Sequence, residues 1–229
     1  MNLKRILSSH SILKATASFL CYSFGGNKVR MRGRGNRVIY RGAFLRKCRI
    51  LVVGEDNTIE IDGTALTRLE SCHFIVHGNH NRIVIGRSVS TSVDITIEDD
   101  NNQVLLGDRF RGGGHSELAV MEGTSIVFGK DCLLSANICL RAGDSHSILD
   151  STTGKRTNRS KSIIVGDHVW IGNTVLIFKG AQIGAHSIVG GGSVLSGKNF
   201  PENSLIAGNP ATVVRGNVDW ADERIPIEL

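Results

Sequence analysis

The sequence predicts an all-β protein built as a parallel β-helix. Apolar residues recur every six positions towards the C-terminal end, and glycine follows most of them directly. Aromatic residues make up only 5% of the chain, which contains 27 glycines. A six-residue period matches neither the two-residue alternation of an ordinary strand nor the 3.6-residue period of a helix. Short strands separated by tight corners and stacked coil on coil account for these observations.

The clearest repeat begins at residue 165. Its apolar positions are Val165, Ile171, Ile177, Ile183, Val189 and Leu195, and glycine follows at Gly166, Gly172, Gly184 and Gly190. Each unit supplies one strand and one corner, with the apolar side chain inward and glycine where a Cβ would crowd the backbone. Because one strand cannot bury its own face, consecutive coils are expected to pair in parallel.

A second phase of the repeat lies upstream and passes through Phe128, Leu134, Leu140 and His146. Residues 147–162 separate the two phases, and their polar, basic character predicts a loop excursion from the coil. The looser repeat further upstream is marked by Asn36, Asn57, Asn81 and Asn102. We expect these asparagines in turns, because Asn tolerates a left-handed backbone. The predicted β-helix domain spans 26–214, between an N-terminal segment (1–25) and a C-terminal tail (215–229).

The charge is unevenly distributed along the 229 residues. The net charge is +6, and twelve basic residues precede the first acid, Glu55. No known nucleic-acid-binding module is present, so we expect no nucleic-acid partner. The basic residues then form either a solvated face or a contact with an anionic surface. Residues 1–25 mix apolar residues with Lys4, Arg5 and Lys14, which predicts a short amphipathic helix and not a signal peptide or membrane span. This segment would cap the domain, pack in an oligomer or make peripheral contact with the inner membrane.

The five cysteines are odd in number and form no CxxC pair, which favours a reduced, cytoplasmic setting.

Residues 162–215, SIIVGDHVWIGNTVLIFKGAQIGAHSIVGGGSVLSGKNFPENSLIAGNPATVVR, resemble the hexapeptide-repeat acyltransferases. The segments GDSHSILD (143–150), NRSK (158–161) and DHVWIG (167–172) are most similar to bacterial capsule and lipopolysaccharide O-acetyltransferases. The resemblance implies a left-handed parallel β-helix, a homotrimer with active sites between subunits, acetyl-CoA as co-substrate and no catalytic metal.

The chemistry implied by this resemblance requires a base, because a sugar hydroxyl does not ionise at neutral pH. His146 matches the family's catalytic histidine and can take the proton as the new bond forms. Asp144, two residues earlier, either orients the imidazole or caps a turn. The capsule-modifying subgroup, which includes polysialic acid O-acetyltransferases, pairs its histidine with a tryptophan. Trp170 therefore either lines the same site or simply packs at a corner.

The resemblance also indicates binding residues. By similarity to galactoside-type acetyltransferases, the residues that contact CoA are Asn173, Gly191, Lys198 and Arg215, although Lys198 and Arg215 also fit ordinary surface charge. Arg141 and the basic residues of the excursion are near His146 in sequence and could hold an anionic glycan, or they could be solvated. His115 follows a glycine run and could approach the acceptor.

The remaining histidines are the residues that could form a metal site. His73, His77 and His80 cluster, but we interpret them as solvated turn residues, and His168 and His186 occupy positions typical of a surface or trimer axis. The γ-class carbonic anhydrases need a closely spaced histidine pair, but Ser151 stands five positions after His146. We therefore predict an acetyl-CoA-dependent O-acetyltransferase acting on a surface polysaccharide, without a metal. An N-acetyltransferase acting on a nucleotide-linked sugar and a non-catalytic scaffold are the alternatives.

Overall fold

The computed structural model describes residues 11–40 and 42–227, and their strands form three sheets. Each coil of the chain contributes one strand to each sheet in turn. Sheet A contains β1 (Lys28–Arg32), β4 (Arg49–Val53), β7 (His73–His77), β10 (Val93–Glu98), β13 (Ser116–Val120), β16 (Cys139–Arg141), β19 (Leu176–Phe178) and β22 (Val194–Leu195).

Sheets B and C form the other two sides of the coil. Sheet B contains β2 (Arg37–Ile39), β5 (Thr58–Ile61), β8 (Arg82–Ile85), β11 (Gln103–Leu106), β14 (Ser125–Phe128), β17 (Ile163–Val165), β20 (Gln182–Ile183) and β23 (Asn199–Phe200). Sheet C contains β3 (Phe44–Arg46), β6 (Arg68–Glu70), β9 (Ser90–Thr91), β12 (Arg111–Gly112), β15 (Leu133–Leu134), β18 (Trp170–Ile171), β21 (Ile188–Val189), β24 (Leu205–Gly208) and β25 (Ala211–Arg215). All pairings are parallel except that of β24 with β25. We name the three corners A–B, B–C and C–A after the sheets that they join.

The six-residue repeat forms the core as predicted. Its six apolar residues from Val165 to Leu195 are all at most 3% exposed. Leu176 pairs with Val194, so one coil there uses 18 residues, or three hexapeptides. The glycine positions are crowded, since a Cβ on Gly184 would lie 2.3 Å from the backbone nitrogen of Glu202. Close stacking of coils, more than a special backbone angle, therefore explains those glycines.

The expectation of left-handed asparagines was wrong. The residue before each of Asn57, Asn81 and Asn102 has the positive φ instead, whereas these three asparagines are at most 2% exposed. Their side chains form a ladder: Asn81 Oδ1 accepts from the backbone N–H of Asn102 at 2.8 Å, and Asn57 Oδ1 accepts from that of Asn81 at 2.9 Å. The asparagines recur because they satisfy buried backbone donors between coils.

The predicted N-terminal helix is confirmed as α1 (Ser11–Phe24), whereas residues 1–10 of that segment lie outside the described residues. Ser18 Oγ donates to the carbonyl of Ala43 at 2.5 Å, and the Tyr22 ring stacks on Tyr40 at 4.5 Å. The helix therefore packs on the first coil. In the described ranges, no helix is long and apolar enough to cross a membrane.

The excursion leaves the coil between β16 and β17. A single antiparallel bridge joins Leu149 to Arg156, so the segment forms a small hairpin at the A–B corner.

Candidate active site

His146 lies between β16 and the excursion, with its side chain exposed. Its backbone N–H donates to the carbonyl of Asp144 at 2.7 Å, and its own carbonyl accepts from Asn158 Nδ2 at 2.6 Å. The imidazole forms no hydrogen bond with any described residue. The backbone of His146 is thus held on both sides while its ring remains free to meet a substrate.

Asn158 holds this part of the excursion together. Its side chain is 6% exposed, and Nδ2 also donates to Asp144 Oδ2 at 2.8 Å. Its Oδ1 accepts from the backbone N–H of Ile148 at 2.8 Å and from Arg156 Nε at 3.1 Å. Asn158 was not identified as a functional residue from the sequence. Nothing local indicates one, because its partners Asp144 and His146 lie 14 and 12 positions away.

Asp144 faces Asn158 and the next coil. The same Oδ2 forms an ion pair with Lys179, which follows β19 at the A–B corner. Lys179 and then the Asn158 hydrogen bond hold the pKa of the Asp144 carboxyl below its usual range. Among the described residues, the Asp144 carboxylate accepts no hydrogen bond from the His146 imidazole, so in this structure Asp144 acts on the loop. Lys179 was not identified from the sequence either.

Trp170 lies at the start of β18 in sheet C, beside the B–C corner, and is 39% exposed. Its Nε1 donates to Ser135 Oγ at 3.4 Å, and its ring centroid lies 6.3 Å from that of Trp220. His146 belongs to the A–B corner. A single chain therefore does not bring the two residues together within its described part.

The predicted CoA-binding residues fall into two groups. Asn173 and Gly191 stack in successive coils at the C–A corner, where the Asn173 carbonyl accepts from the Gly192 N–H at 2.9 Å. A Cβ on Gly191 would lie 3.1 Å from that carbonyl oxygen, so glycine keeps this surface flat. Lys198 lies at the A–B corner, with Nζ donating to the Ala211 carbonyl at 3.4 Å, and Arg215 ends β25 with its side chain exposed.

The predicted acceptor-binding residues are also separated. Arg141 pairs with Glu117 at 3.0 Å and donates to Ser145 Oγ at 3.3 Å, directly beside His146. His115 is exposed at the C–A corner, with a φ of 60°, and not at the corner of His146.

An open groove of about 500 Å³ borders the excursion and is lined by Glu122, Arg156 and Arg159. The ion pair with Arg156 and the hydrogen bond from the Ser160 backbone N–H lower the pKa of Glu122 to about 2. Arg159 has no ion pair among the described residues and is exposed. The groove therefore offers a free positive charge on the excursion itself.

His73, His77 and His80, which cluster in the sequence, do not form a group of metal ligands among the described residues. His73 Nδ1 lies 3.5 Å from Asp94 Oδ1 of the next coil, and His80 Nδ1 lies 4.0 Å from Asp56 Oδ2 of the preceding coil. The structure instead brings together His168 and His186, whose ring centroids are 5.2 Å apart at the B–C corner.

Sequence comparison reveals clear relatives, although no protein-family model matches the chain. A polysialic acid O-acetyltransferase of Neisseria meningitidis is 34% identical over 188 residues, which cover 73% of this chain and 86% of that protein. A polysialic acid O-acetyltransferase of Escherichia coli O1:K1 is 32% identical over 120 residues, which cover 52% of this chain and 38% of that protein.

Solved structures agree with the sequence matches. The polySia-specific acetyltransferase NeuO superposes with a TM-score of 0.81 and 28% identity, covering 89% of this chain and 92% of that one. The polysialic acid O-acetyltransferase OatWY gives a TM-score of 0.69 and 25% identity, covering 85% of this chain and 92% of that one. These superpositions confirm the predicted left-handed parallel β-helix.

Proposed function

This chain belongs to the hexapeptide-repeat O-acetyltransferases and is an acyltransferase, and on that premise we propose that it transfers acetyl from acetyl-CoA to a hydroxyl of a bacterial surface polysaccharide. The observation that supports this most is the exposed His146, whose backbone is fixed by Asn158 while its ring makes no hydrogen bond among the described residues. The similarity to two polysialic acid O-acetyltransferases supports a polymeric sugar as acceptor.

The proposed reaction is a direct transfer. The neutral His146 ring accepts the proton of the sugar hydroxyl while its oxygen attacks the thioester carbonyl. The new C–O bond forms, the C–S bond breaks, and the imidazolium returns the proton to the departing thiolate. Only Oδ2 of Asp144 is engaged by Asn158 and Lys179. Its other oxygen remains free among the described residues, and we propose that it accepts from the His146 ring once the substrate is bound.

We propose that a homotrimer completes the site. His146, Trp170 and the Asn173–Gly191 pair lie at different corners of one chain, and the rigid sheets between them prevent their meeting within it. A neighbouring copy can supply the missing side chains at a heterologous interface, which closes into a ring. Trp170 would then pack beside the pantetheine arm, with its indole next to the base of the adjacent chain.

CoA binding would use features of two corners. The flat surface that Gly191 forms over Asn173 suits an extended pantetheine arm, whose amide groups would form hydrogen bonds with the protein backbone there. The exposed Lys198 and Arg215 would meet the phosphates of CoA. The free positive charge of Arg159 and the basic residues of the excursion suit an anionic glycan as acceptor, and Arg141 would exchange its ion pair with Glu117 for a contact to that glycan.

An acceptor screen with acetyl-CoA, read by mass spectrometry, tests the proposed reaction. We expect an acetyl ester on a hydroxyl of an anionic polysaccharide. Acetylation of an amino group would contradict O-transfer in favour of the nucleotide-sugar alternative, and no turnover with any acceptor would favour a scaffold. His146→Ala should lower turnover by orders of magnitude, whereas His77→Ala, which removes another exposed histidine, should leave it unchanged.

Subunit complementation tests the shared site. His146→Ala and Trp170→Ala chains would each be inactive or weak alone. If the base and the tryptophan of one site come from different chains, co-expression should restore about one quarter of the sites, because chains mix randomly in a trimer. No restoration in mixed oligomers would contradict the shared site.

A further inference from the structure

The C-terminal tail folds back over the B–C corner, about 50 residues along the chain from the coil that it covers. The Trp220 ring stacks on the His168 ring with centroids 4.3 Å apart and planes 8° apart, and Trp220 Nε1 donates to the carbonyl of His168 at 2.9 Å. The Val218 N–H donates to the Asn203 carbonyl at 3.0 Å. These contacts position Asp219 beside the corner.

The ring nitrogens of His168 are surrounded by oxygen atoms. Nδ1 lies 3.1 Å from Asp131 Oδ2, while Nε2 lies 3.0 Å from the Trp220 carbonyl oxygen and 3.5 Å from Asp219 Oδ1. All three partners are hydrogen-bond acceptors, and a neutral imidazole can donate from only one nitrogen. Both ring nitrogens therefore face oxygen atoms, and a metal ion at Nε2 with Nδ1–H donating to Asp131 would satisfy both.

A second histidine converges on the same carboxylate. His186 occupies the B–C corner one coil further on, with a φ of 57° against 54° for His168, and its Nδ1 lies 3.2 Å from Asp219 Oδ2. The ligand atoms of His168, His186 and Asp219 all lie within 4.8 Å of one another. In the part of the chain that the structure describes, the ion partners of Asp219 are these two histidines alone.

We propose that His168, His186 and Asp219 bind a divalent transition-metal ion of the Zn²⁺ class, which fastens the C-terminal tail to the β-helix. Two imidazoles and a carboxylate are a donor set that such ions favour. His168 Nε2 lies 3.5 Å from Asp219 Oδ1 and His186 Nδ1 lies 3.2 Å from Asp219 Oδ2, near the edge of about 3.3 Å expected for a tetrahedron with bonds of about 2.0–2.1 Å. Asp131 would accept from the far nitrogen of His168, the outer-shell contact that metal-bound histidines usually make.

In the single chain, the site is open to ions from solvent. The side chains of His186 and Asp219 are 47% and 54% exposed. A fourth position remains for water or the Trp220 carbonyl. The metal would act on the tail and takes no part in the proposed acetyl transfer.

Calorimetric titration of Zn²⁺ into the full chain without a histidine tag, after treatment with chelator, tests the proposal. We expect one Zn²⁺ per chain, no binding of Mg²⁺, which prefers oxygen ligands, and a rise in the temperature of unfolding with Zn²⁺. His186→Asn and Asp219→Asn should abolish binding. Asp131→Asn should weaken it by about tenfold.

His80→Asn is the matched control. His80 also has a left-handed φ, of 56°, and lies 4.0 Å from a carboxylate, but no second histidine joins it among the residues that the structure describes. Asn accommodates this backbone at either position. Absence of Zn²⁺ binding to the wild type, or equal binding by the wild type and His186→Asn, would overturn the proposal. His146→Ala should keep its Zn²⁺ site, so failure of the acetyl-transfer proposal and failure of this one are separable.

Discussion

Asn158→Ala should impair the proposed base without unfolding the β-helix. The substitution removes four hydrogen bonds: those to the Asp144 carboxylate, the His146 carbonyl, the Ile148 N–H and the Arg156 guanidinium. It also leaves the Ile148 N–H without its partner. The strands on either side, β16 and β17, keep their own pairings with neighbouring coils.

The magnitude follows from the types of bond lost. A hydrogen bond between neutral groups contributes about 0.5–1.5 kcal/mol net, and one to a charged group about 1.5–3 kcal/mol. Because the excursion lies at the surface and water can replace some partners, we expect the ordered loop to lose about 2–4 kcal/mol and not the full sum. At about 1.4 kcal/mol per factor of ten, part of this loss should appear as a fall of about 10- to 100-fold in kcat.

Steady-state kinetics and thermal unfolding together test this reasoning. We expect kcat to fall while the unfolding temperature of the β-helix stays close to that of the wild type. Thr157→Ala is the matched control, because it removes a 3.1 Å hydrogen bond to the Ile148 carbonyl in the same hairpin without touching Asp144 or His146. A wild-type kcat for Asn158→Ala, or an equal loss in Thr157→Ala, would refute the positioning role.

Three further predictions concern stability. Asn81→Ala breaks the buried asparagine ladder and should lower the free energy of unfolding, measured in urea, by about 2–4 kcal/mol. Asn79→Ala, at the rim of the same turn, should lower it by under about 1 kcal/mol. Equal losses in the two variants would contradict the role of the ladder. The pKa of Glu122 is lowered in the folded state to about 2 from an ordinary 4.5, so its stabilisation is fully present above pH 4.5 and lost as the pH falls towards 2. The difference in unfolding free energy between the wild type and Glu122→Gln should therefore decrease as the pH falls from 4.5 towards 2, and it should stay constant near neutral pH. Gly184→Ala should cost about 1–3 kcal/mol by forcing coils apart, and Gly216→Ala, where a Cβ meets no atom within 4 Å, should cost almost nothing.

The regular coil was predictable because its information is local. A six-residue period of aliphatic residues indicates where each strand and corner lies. All six repeat positions from Val165 to Leu195 are buried, as the period predicts. The upstream asparagines were located correctly but explained wrongly. The sequence shows that Asn recurs near turns. Only the stacked coils show that its side-chain oxygen accepts a hydrogen bond from a backbone N–H of the next coil, and that the preceding residue has the left-handed φ.

The candidate site was predictable only in part, because its residues do not follow the period. His146 was found where the repeat breaks, and family resemblance suggested its role and that of Trp170. Asn158 and Lys179 were missed, since each acts on a residue at least 12 positions away across a hairpin or a coil.

By itself, the sequence determined the repeating coil, the excursion at 147–162 and the histidine at its edge, because strand length, corner spacing and inward apolar positions are properties of neighbouring residues. Only the tertiary structure decided which side chains meet between coils. Stacking places Lys179 against Asp144, and the returning tail brings Asp219 to His168 and His186. Such contacts depend on the lateral register of one coil on the next and on the path of the tail, and no short stretch of sequence encodes either.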